Sequence, residues 1–157
     1  MTNHLRLLSV GGLLFVAALS GAVKDGDPFG SAPLAAAQAA PGSQATSDTY
    51  KSVYDGWKWW HVYCYRCHGV DAVGTTNAPN LTDPNEKLSA AEFLKIVRDG
   101  RPDKGMQAWD KLLDDKQINQ IQLYVRARTE KLLPPGRPDE VGPDKGPWAP
   151  PAGWPRR

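Results

Sequence analysis

The chain has 157 residues, a formal net charge of +2 and two cysteines. Its length suffices for one modest domain with extensions, and its nearly balanced charge excludes a strongly basic nucleic-acid-binding surface or an acidic tail. A disulfide framework is also excluded, because small secreted domains of that kind need more cysteines spread along the chain.

Residues 1–39 are predicted to be an export signal and a short linker. Arg6 precedes an apolar run over residues 7–23, and charged residues follow it. A positive start, an apolar stretch and then small residues are typical of a secretory signal, with cleavage after Ala22 or after Ala39. An uncleaved membrane anchor is the alternative, although the run is short for a membrane span. In either case the domain is expected outside the cytoplasm, in the periplasm.

The domain proper is predicted to cover residues 40–133, and it opens with a polar linker over residues 40–49. A helix is then expected over Tyr50–Tyr63, because aromatic and apolar side chains recur there at spacings of three and four. Ser47 or Asp48 is the expected cap of this helix. Tryptophan in such a pattern mainly packs in a core, so this helix is expected to be mainly a core element, with any surplus ring left at the surface.

The string Cys64-Tyr65-Arg66-Cys67-His68 follows this helix. Cys-x-x-Cys-His is the attachment site of c-type heme. Thiols one helical turn apart can reach the two vinyl groups on one edge of the porphyrin, and the next residue then places its imidazole under the iron. The motif therefore predicts heme c, bound covalently through Cys64 and Cys67, with one heme per chain and with His68 as an axial ligand.

A Cys-x-x-Cys pair has two other common uses, in zinc sites and in thioredoxin-like redox sites. A zinc site needs four ligands, but outside the predicted signal only His61 remains, and it is too close in sequence to complete a cage. A thioredoxin-like redox pair follows a strand in a βαβ pattern, and the chain has no such pattern. Both alternatives are therefore much weaker than heme attachment.

Two further helices are predicted after the motif, separated by loops over residues 69–87 and 100–109. Ser89–Asp99 begins with a capping box and stops at Gly100. Asp114–Arg128 is the third helix, and one of its faces is apolar. That face comprises Ile118, Ile121, Tyr124 and Val125. Because no stretch alternates as a strand would, the sequence predicts an all-α fold.

The second axial ligand follows from the few residues that can supply it. Met1 and Met106 are the only methionines, and Met1 lies in the predicted signal. Met106 lies in a glycine-flanked loop that can fold across the heme, so His68 and Met106 are the predicted metal ligands. The alternative for Met106 is a role as core filler. His61, one turn before Cys64 on the same helix, is expected to face away from the distal side.

Residues 134–157 form a tail that contains eight prolines. Such a segment is not expected to contribute to the core. We expect it to be extended, and either disordered or laid over the surface of the domain.

From about Tyr50 to Arg128, the chain resembles the class I c-type cytochromes. Gly56 and Trp60 match the glycine and the aromatic residue that precede the first heme cysteine in that family. Positions on the last helix and a proline beyond the motif also match, namely Ile121, Tyr124 and Pro79. The resemblance implies a small fold of three or more helices around one heme. It also implies a close crossing of the first and last helices at Gly56, and a contact between the Pro79 region and the axial histidine.

The resemblance and the ligand set together predict an electron carrier rather than an enzyme. Iron with two strong axial ligands has no open position, and a methionine ligand raises the reduction potential. The expected partners are a donor and an acceptor redox protein, with a quinoprotein alcohol dehydrogenase and a terminal oxidase as candidates, and no nucleic acid. Two alternatives stay open: an electron-entry domain of a membrane oxidase complex, and a heme enzyme or sensor in which Met106 leaves the iron.

Five lysines come from segments that surround the heme in the family's fold: Lys58, Lys87, Lys95, Lys104 and Lys111. A ring of positive charge would steer an acidic partner. The equally simple alternative is that scattered lysines only solvate the surface.

Overall fold

The computed structural model describes residues 41–84 and 88–155. Its helices are α1 (Pro41–Tyr63), α2 (Tyr65–His68), α3 (Ala90–Asp99) and α4 (Asp115–Thr129), with 3-10 turns at Pro102–Lys104 and Pro143–Lys145. No strand occurs in these two ranges, so the all-α prediction is confirmed. The predicted export signal, with both cleavage sites, lies outside the described residues. Among the residues that are described, no helix is both long and apolar enough to cross a membrane.

Helix α1 begins at Pro41 rather than at Tyr50. The prediction of a polar linker over residues 40–49, and of a cap at Ser47 or Asp48, was therefore wrong. Proline is well tolerated in the first turn of a helix, where its missing N–H needs no partner. No proline or glycine follows between Ser43 and Tyr50, so nothing stops the helix before the apolar pattern begins.

Helices α1 and α4 cross at Gly56, as the family resemblance implied. A Cβ atom at Gly56 would lie 1.9 Å from the backbone oxygen of Gln120. Only glycine permits this approach, because a side chain would occupy the space of the α4 backbone. The crossing forms the centre of the core, whose largest buried side chains from these two helices are Val53, Trp60, Ile118, Ile121 and Tyr124.

The predicted boundaries of α3 and α4 agree with the structure to within one residue. Ser89 caps α3 in a complete capping box with Glu92, and Asp114 caps α4 in the same way with Gln117. Gly100 ends α3 with φ of +71°, and a Cβ there would lie 2.5 Å from the carbonyl carbon of Gln107. The backbone of the following loop therefore passes close to Gly100, at Gln107.

The proline-rich tail contributes to the core, which the sequence did not predict. Trp148 is only 5% exposed, and its Nε1 donates a hydrogen bond to the backbone oxygen of Leu132 at 2.8 Å. Pro138 is fully buried as well. The expectation that the tail lies over the domain is correct, but the expectation that it adds nothing to the core was wrong. A large aromatic ring can bury its surface without belonging to a helix or strand.

Candidate functional site

Helix α2 presents the Cys-x-x-Cys-His motif in a single turn. Cys64 precedes it with helical backbone angles, and its carbonyl accepts hydrogen bonds from the backbone N–H groups of Cys67 at 3.2 Å and His68 at 3.0 Å. Cys67 is exposed and Cys64 is half-buried, and both are free thiols. The two thiols are thus one turn apart with the imidazole directly after them, which is the arrangement that the motif predicts.

The environment of Cys64 differs from that of a redox-active thiol. Burial raises the pKa of Cys64 to about 12, and the neighbouring Cys67 adds to the increase. Dithiol redox catalysts instead lower the pKa of one cysteine, because the thiolate is the attacking species. Cys64 is therefore not an activated thiol in this structure.

His68 is held by the loop that follows the motif. Its Nδ1 lies 3.1 Å from the backbone oxygen of Pro79. Because a carbonyl oxygen can only accept, this contact places the proton on Nδ1 and leaves the lone pair on Nε2. The backbone N–H of Gly74 also donates to the oxygen of His68 at 2.8 Å. The implied contact between Pro79 and the histidine is present, and it leaves one ring nitrogen able to bind a metal.

Met106 lies at the end of a closed turn between α3 and α4. Arg101 and Met106 exchange two backbone hydrogen bonds, of 2.7 Å and 3.0 Å. Gly105 closes the turn in the left-handed conformation, with φ of +81°, and Met106 packs half-buried against the core. Sequence reasoning predicted a loop here but not this pairing; the glycine before Met106 was the available signal.

A cleft of about 400 Å³ extends between the two loops. Pro79, the partner of His68, lies on its wall, and so does Arg101, the backbone partner of Met106. Leu81, Phe93 and Val125 give the cleft an apolar surface. His68 and Met106 do not line this cleft themselves. Each is hydrogen-bonded to a residue that does: His68 to Pro79, and Met106 to Arg101.

These features fit a covalently attached heme. Two thiols stand one turn apart, an imidazole keeps Nε2 available, and a thioether lies on the second loop. The apolar cleft adjoins both loops. No group of three or more His, Cys, Asp and Glu side chains in residues 41–84 and 88–155 is arranged to hold a metal ion.

His61 is engaged on α1 itself. Its Nδ1 lies 2.8 Å from the backbone oxygen of Trp57, and its ring centroid is 4.4 Å from that of Trp57 and 5.9 Å from that of Tyr65. The imidazole is therefore part of a row of aromatic rings along α1 that ends within the motif. The prediction that His61 faces away from the distal side of the heme stays a prediction.

The lysines that could form a positive ring are mostly paired with nearby carboxylates. Ion pairs join Lys58 to Asp55 at 2.8 Å, Lys111 to Asp110 at 3.1 Å, and Lys95 to Asp99. Lys87 lies outside the described residues. Local pairing of this kind reduces the long-range field of each lysine, so the structure favours the solvating role over a charged docking ring.

Comparisons with known proteins find similarity to c-type cytochromes. Residues 51–125 match the family model described as cytochrome c oxidase, cbb3-type, subunit III. Cytochrome c-555 of Methylococcus capsulatus is 29% identical over 101 residues, which cover 64% of this chain and 80% of that protein. The solved c-type cytochrome XoxG of Methylobacterium extorquens AM1 is 31% identical, with a TM-score of 0.51 over 55% of this chain and 56% of that one.

The chain is also similar to a small part of a larger protein. It is 32% identical over 95 residues to the quinohemoprotein alcohol dehydrogenase ADH-IIG of Pseudomonas putida. The match covers 59% of this chain but only 13% of the dehydrogenase.

Proposed function

Because this chain is a class I c-type cytochrome with covalently bound heme c, we propose that it is a periplasmic carrier that accepts single electrons from a quinoprotein alcohol dehydrogenase. It passes them to a second redox protein, for which a terminal oxidase is the candidate. An electron-carrying role follows from the family, whereas the donor, the acceptor and the compartment are parts of the proposal.

Four side chains hold the cofactor in this proposal. Cys64 and Cys67 form the thioether bonds, His68 binds the iron through Nε2, and Met106 binds it through its sulfur. The bound heme supplies a one-electron Fe(III)/Fe(II) couple. The chain contributes fixed positions for the ligands: the Pro79 oxygen orients the imidazole, and Leu81, Phe93 and Val125 place apolar side chains in the cleft beside both loops.

The observation that carries the proposal is the closed turn from Arg101 to Met106. Two backbone hydrogen bonds between Arg101 and Met106 close the turn and hold the backbone of Met106 in place, so the methionine would be a fixed ligand rather than one on an open loop. Ligands that stay in place keep reorganisation small, and they leave no open position for a substrate. This favours a carrier over the enzyme or sensor with a labile Met106.

Met106→Ala is expected to remove the sulfur-to-iron charge-transfer band of the ferric protein. The midpoint potential should fall by on the order of 0.2 V, a fraction of the range that axial ligation spans, and the ferrous protein should bind carbon monoxide. Absorption spectroscopy and redox titration measure these changes. Gln107→Ala, an exposed neighbour on the same loop, should keep the wild-type spectrum and potential. An unchanged ferric spectrum in Met106→Ala would transfer the ligand assignment to His61 or to a non-protein ligand.

The similarity to a quinohemoprotein alcohol dehydrogenase supports the choice of donor. In that protein, a segment 32% identical to this chain belongs to the same polypeptide as the dehydrogenase. In that dehydrogenase, an electron would pass between two parts of one chain. For the present protein, the same transfer would take place between two separate proteins.

The oxidised protein is expected to be reduced when it is mixed with a purified quinoprotein alcohol dehydrogenase and an alcohol. Because three candidate docking lysines are paired with carboxylates, the rate should change by less than about tenfold between low and physiological ionic strength, unlike charge-steered encounters. Stopped-flow absorption follows the heme directly, and omission of the alcohol is the control. Absence of reduction at every salt concentration would remove this dehydrogenase as the donor and leave the carrier role intact.

A second candidate function is electron entry into a membrane oxidase. The description of the matching family model, a subunit of a cbb3-type oxidase, favours it. Fractionation of cells distinguishes the two: recovery of the heme-stained protein in the membranes, together with an oxidase, would favour this second function over a free carrier.

A further inference from the structure

The loop that carries Met106 forms one unit with α3, the helix before it. Its turn is closed by the backbone bonds between Arg101 and Met106, and the N–H of Trp109 donates to the oxygen of Val97 in α3 at 3.1 Å. Helix α3 packs against α4 and, within residues 41–84 and 88–155, makes no contact with α1. Direct packing of α3 on α1 therefore does not hold this loop near the helix that leads into the heme-attachment motif.

One pair of aromatic rings bridges the two segments. Tyr63, the last residue of α1, and Trp109 have ring centroids 5.6 Å apart and meet edge to face, with an interplanar angle of 63°. Tyr63 immediately precedes Cys64, and Trp109 follows Met106 by three residues. Both rings are half-buried and pack against the core. The pair therefore connects the start of the attachment motif to the loop that carries the proposed distal ligand.

The α1 side of this ring pair is held in place by other contacts. The ring of Tyr63 stacks on that of Trp59, one turn earlier, with centroids 6.4 Å apart. The Nε1 of Trp59 donates a hydrogen bond of 3.2 Å to Oε1 of Gln120, a buried residue of α4. The Nε2 of Gln120 donates in turn to Asp55 at 3.3 Å. Because Tyr63 is fastened in this way to the crossing of α1 and α4, loss of the ring contact would free the loop rather than α1.

We propose that Tyr63 and Trp109 form a clasp that keeps Met106 on the heme iron. Both are positioning residues, because neither is one of the proposed ligands and both act through the loop. The inference rests on the ligand set proposed above. An edge-to-face aromatic pair shifts an equilibrium by roughly two- to tenfold. The clasp shifts the loop toward its closed position, in which Met106 remains bound.

The clasp has a measurable consequence for small ligands of ferrous iron. Carbon monoxide binds the iron where Met106 has left it, so the apparent affinity is proportional to the fraction of protein with an open loop. A weaker clasp raises that fraction and hence the affinity. A strong clasp therefore favours a carrier, and a weak one favours a sensor with a labile Met106.

The test measures the carbon monoxide affinity of the ferrous holoprotein in Trp109→Leu, Trp109→Phe and Trp57→Leu. Trp109→Leu keeps an apolar side chain but loses the ring, whereas Trp109→Phe keeps an aromatic edge. Trp57 is the matched control, since it is also a half-buried tryptophan. Its ring contacts Tyr54 and His61 along α1, at 5.8 Å and 4.4 Å. The melting temperature of each variant reports any general loss of stability.

Two further variants test whether the rings act through each other. Tyr63→Leu and the double variant Tyr63→Leu, Trp109→Leu complete a double-mutant cycle with Trp109→Leu. Loss of either ring removes the same contact, so the double variant should gain little more affinity than the stronger single variant. The charge-transfer band of the ferric protein tests the ligand separately. Every variant is expected to retain this band, because Met106 is still bound most of the time.

We expect Trp109→Leu to raise the carbon monoxide affinity by at least about threefold, and Trp109→Phe to stay near the wild type. Trp57→Leu should leave the affinity unchanged even if its melting temperature falls. An unchanged affinity in Trp109→Leu, an equal gain in Trp57→Leu, or additive effects in the cycle would overturn the clasp. A wild-type protein without the charge-transfer band would instead overturn the ligand set and, with it, the clasp.

Discussion

Gly56→Leu is expected to prevent stable folding. A Cβ atom at this position would lie 1.9 Å from the backbone oxygen and 2.4 Å from the backbone carbon of Gln120. Because these are backbone atoms of α4, no side-chain rearrangement can remove the clash, and the two helices must separate. Overpacking of a core typically costs about 1–3 kcal/mol and occasionally more. This is a large part of the roughly 5–15 kcal/mol that stabilises a typical domain.

The control for this variant is Gly153→Leu in the tail, where a Cβ atom would meet nothing within 4 Å. The positive φ of Gly153, +75°, makes that substitution cost about 1 kcal/mol by backbone strain alone. Thermal unfolding followed by circular dichroism, together with the yield of holoprotein, compares the two. Equal melting temperatures for the two variants would show that α1 and α4 do not cross closely at Gly56.

The double variant Cys64→Ala, Cys67→Ala is expected to lose covalent heme completely. The wild-type intact mass should exceed the polypeptide mass by one heme, and the colour should remain with the protein after acid–acetone extraction. Without thiols no thioether can form. Since cofactor binding contributes to the free energy of folding, the double variant should also unfold at a lower temperature.

Arg66→Ala is the matched control, because Arg66 is an exposed residue between the two cysteines. It should retain the heme mass and the wild-type spectrum. Heme that extracts freely from the wild-type protein would refute attachment at Cys64 and Cys67, and full retention of the heme mass in the double variant would do the same.

Local signals explain which parts of the fold were predictable. The capping boxes at Ser89 and Asp114 form within four residues of sequence, and the structure contains both. The predicted start of α1 was wrong because polar residues by themselves do not stop a helix. No glycine or proline lies between Ser43 and Tyr50 to interrupt it. The role of Trp148 was missed because its ring is buried against residues that are distant in sequence. One of them is Leu132, whose backbone oxygen accepts a hydrogen bond from the Trp148 Nε1.

By itself, the sequence determined the chemistry: Cys64, Cys67 and His68 are adjacent in the chain, so their spacing alone identifies a heme c attachment motif. The short supply of methionine and histidine likewise pointed to Met106. Only the tertiary structure decided how the second loop closes, with Arg101 paired to Met106 and lining the cleft beside Pro79. Pro79 and Arg101 lie far apart in sequence, and they share one cleft because α3 and α4 pack on the same core, a contact that no local pattern specifies.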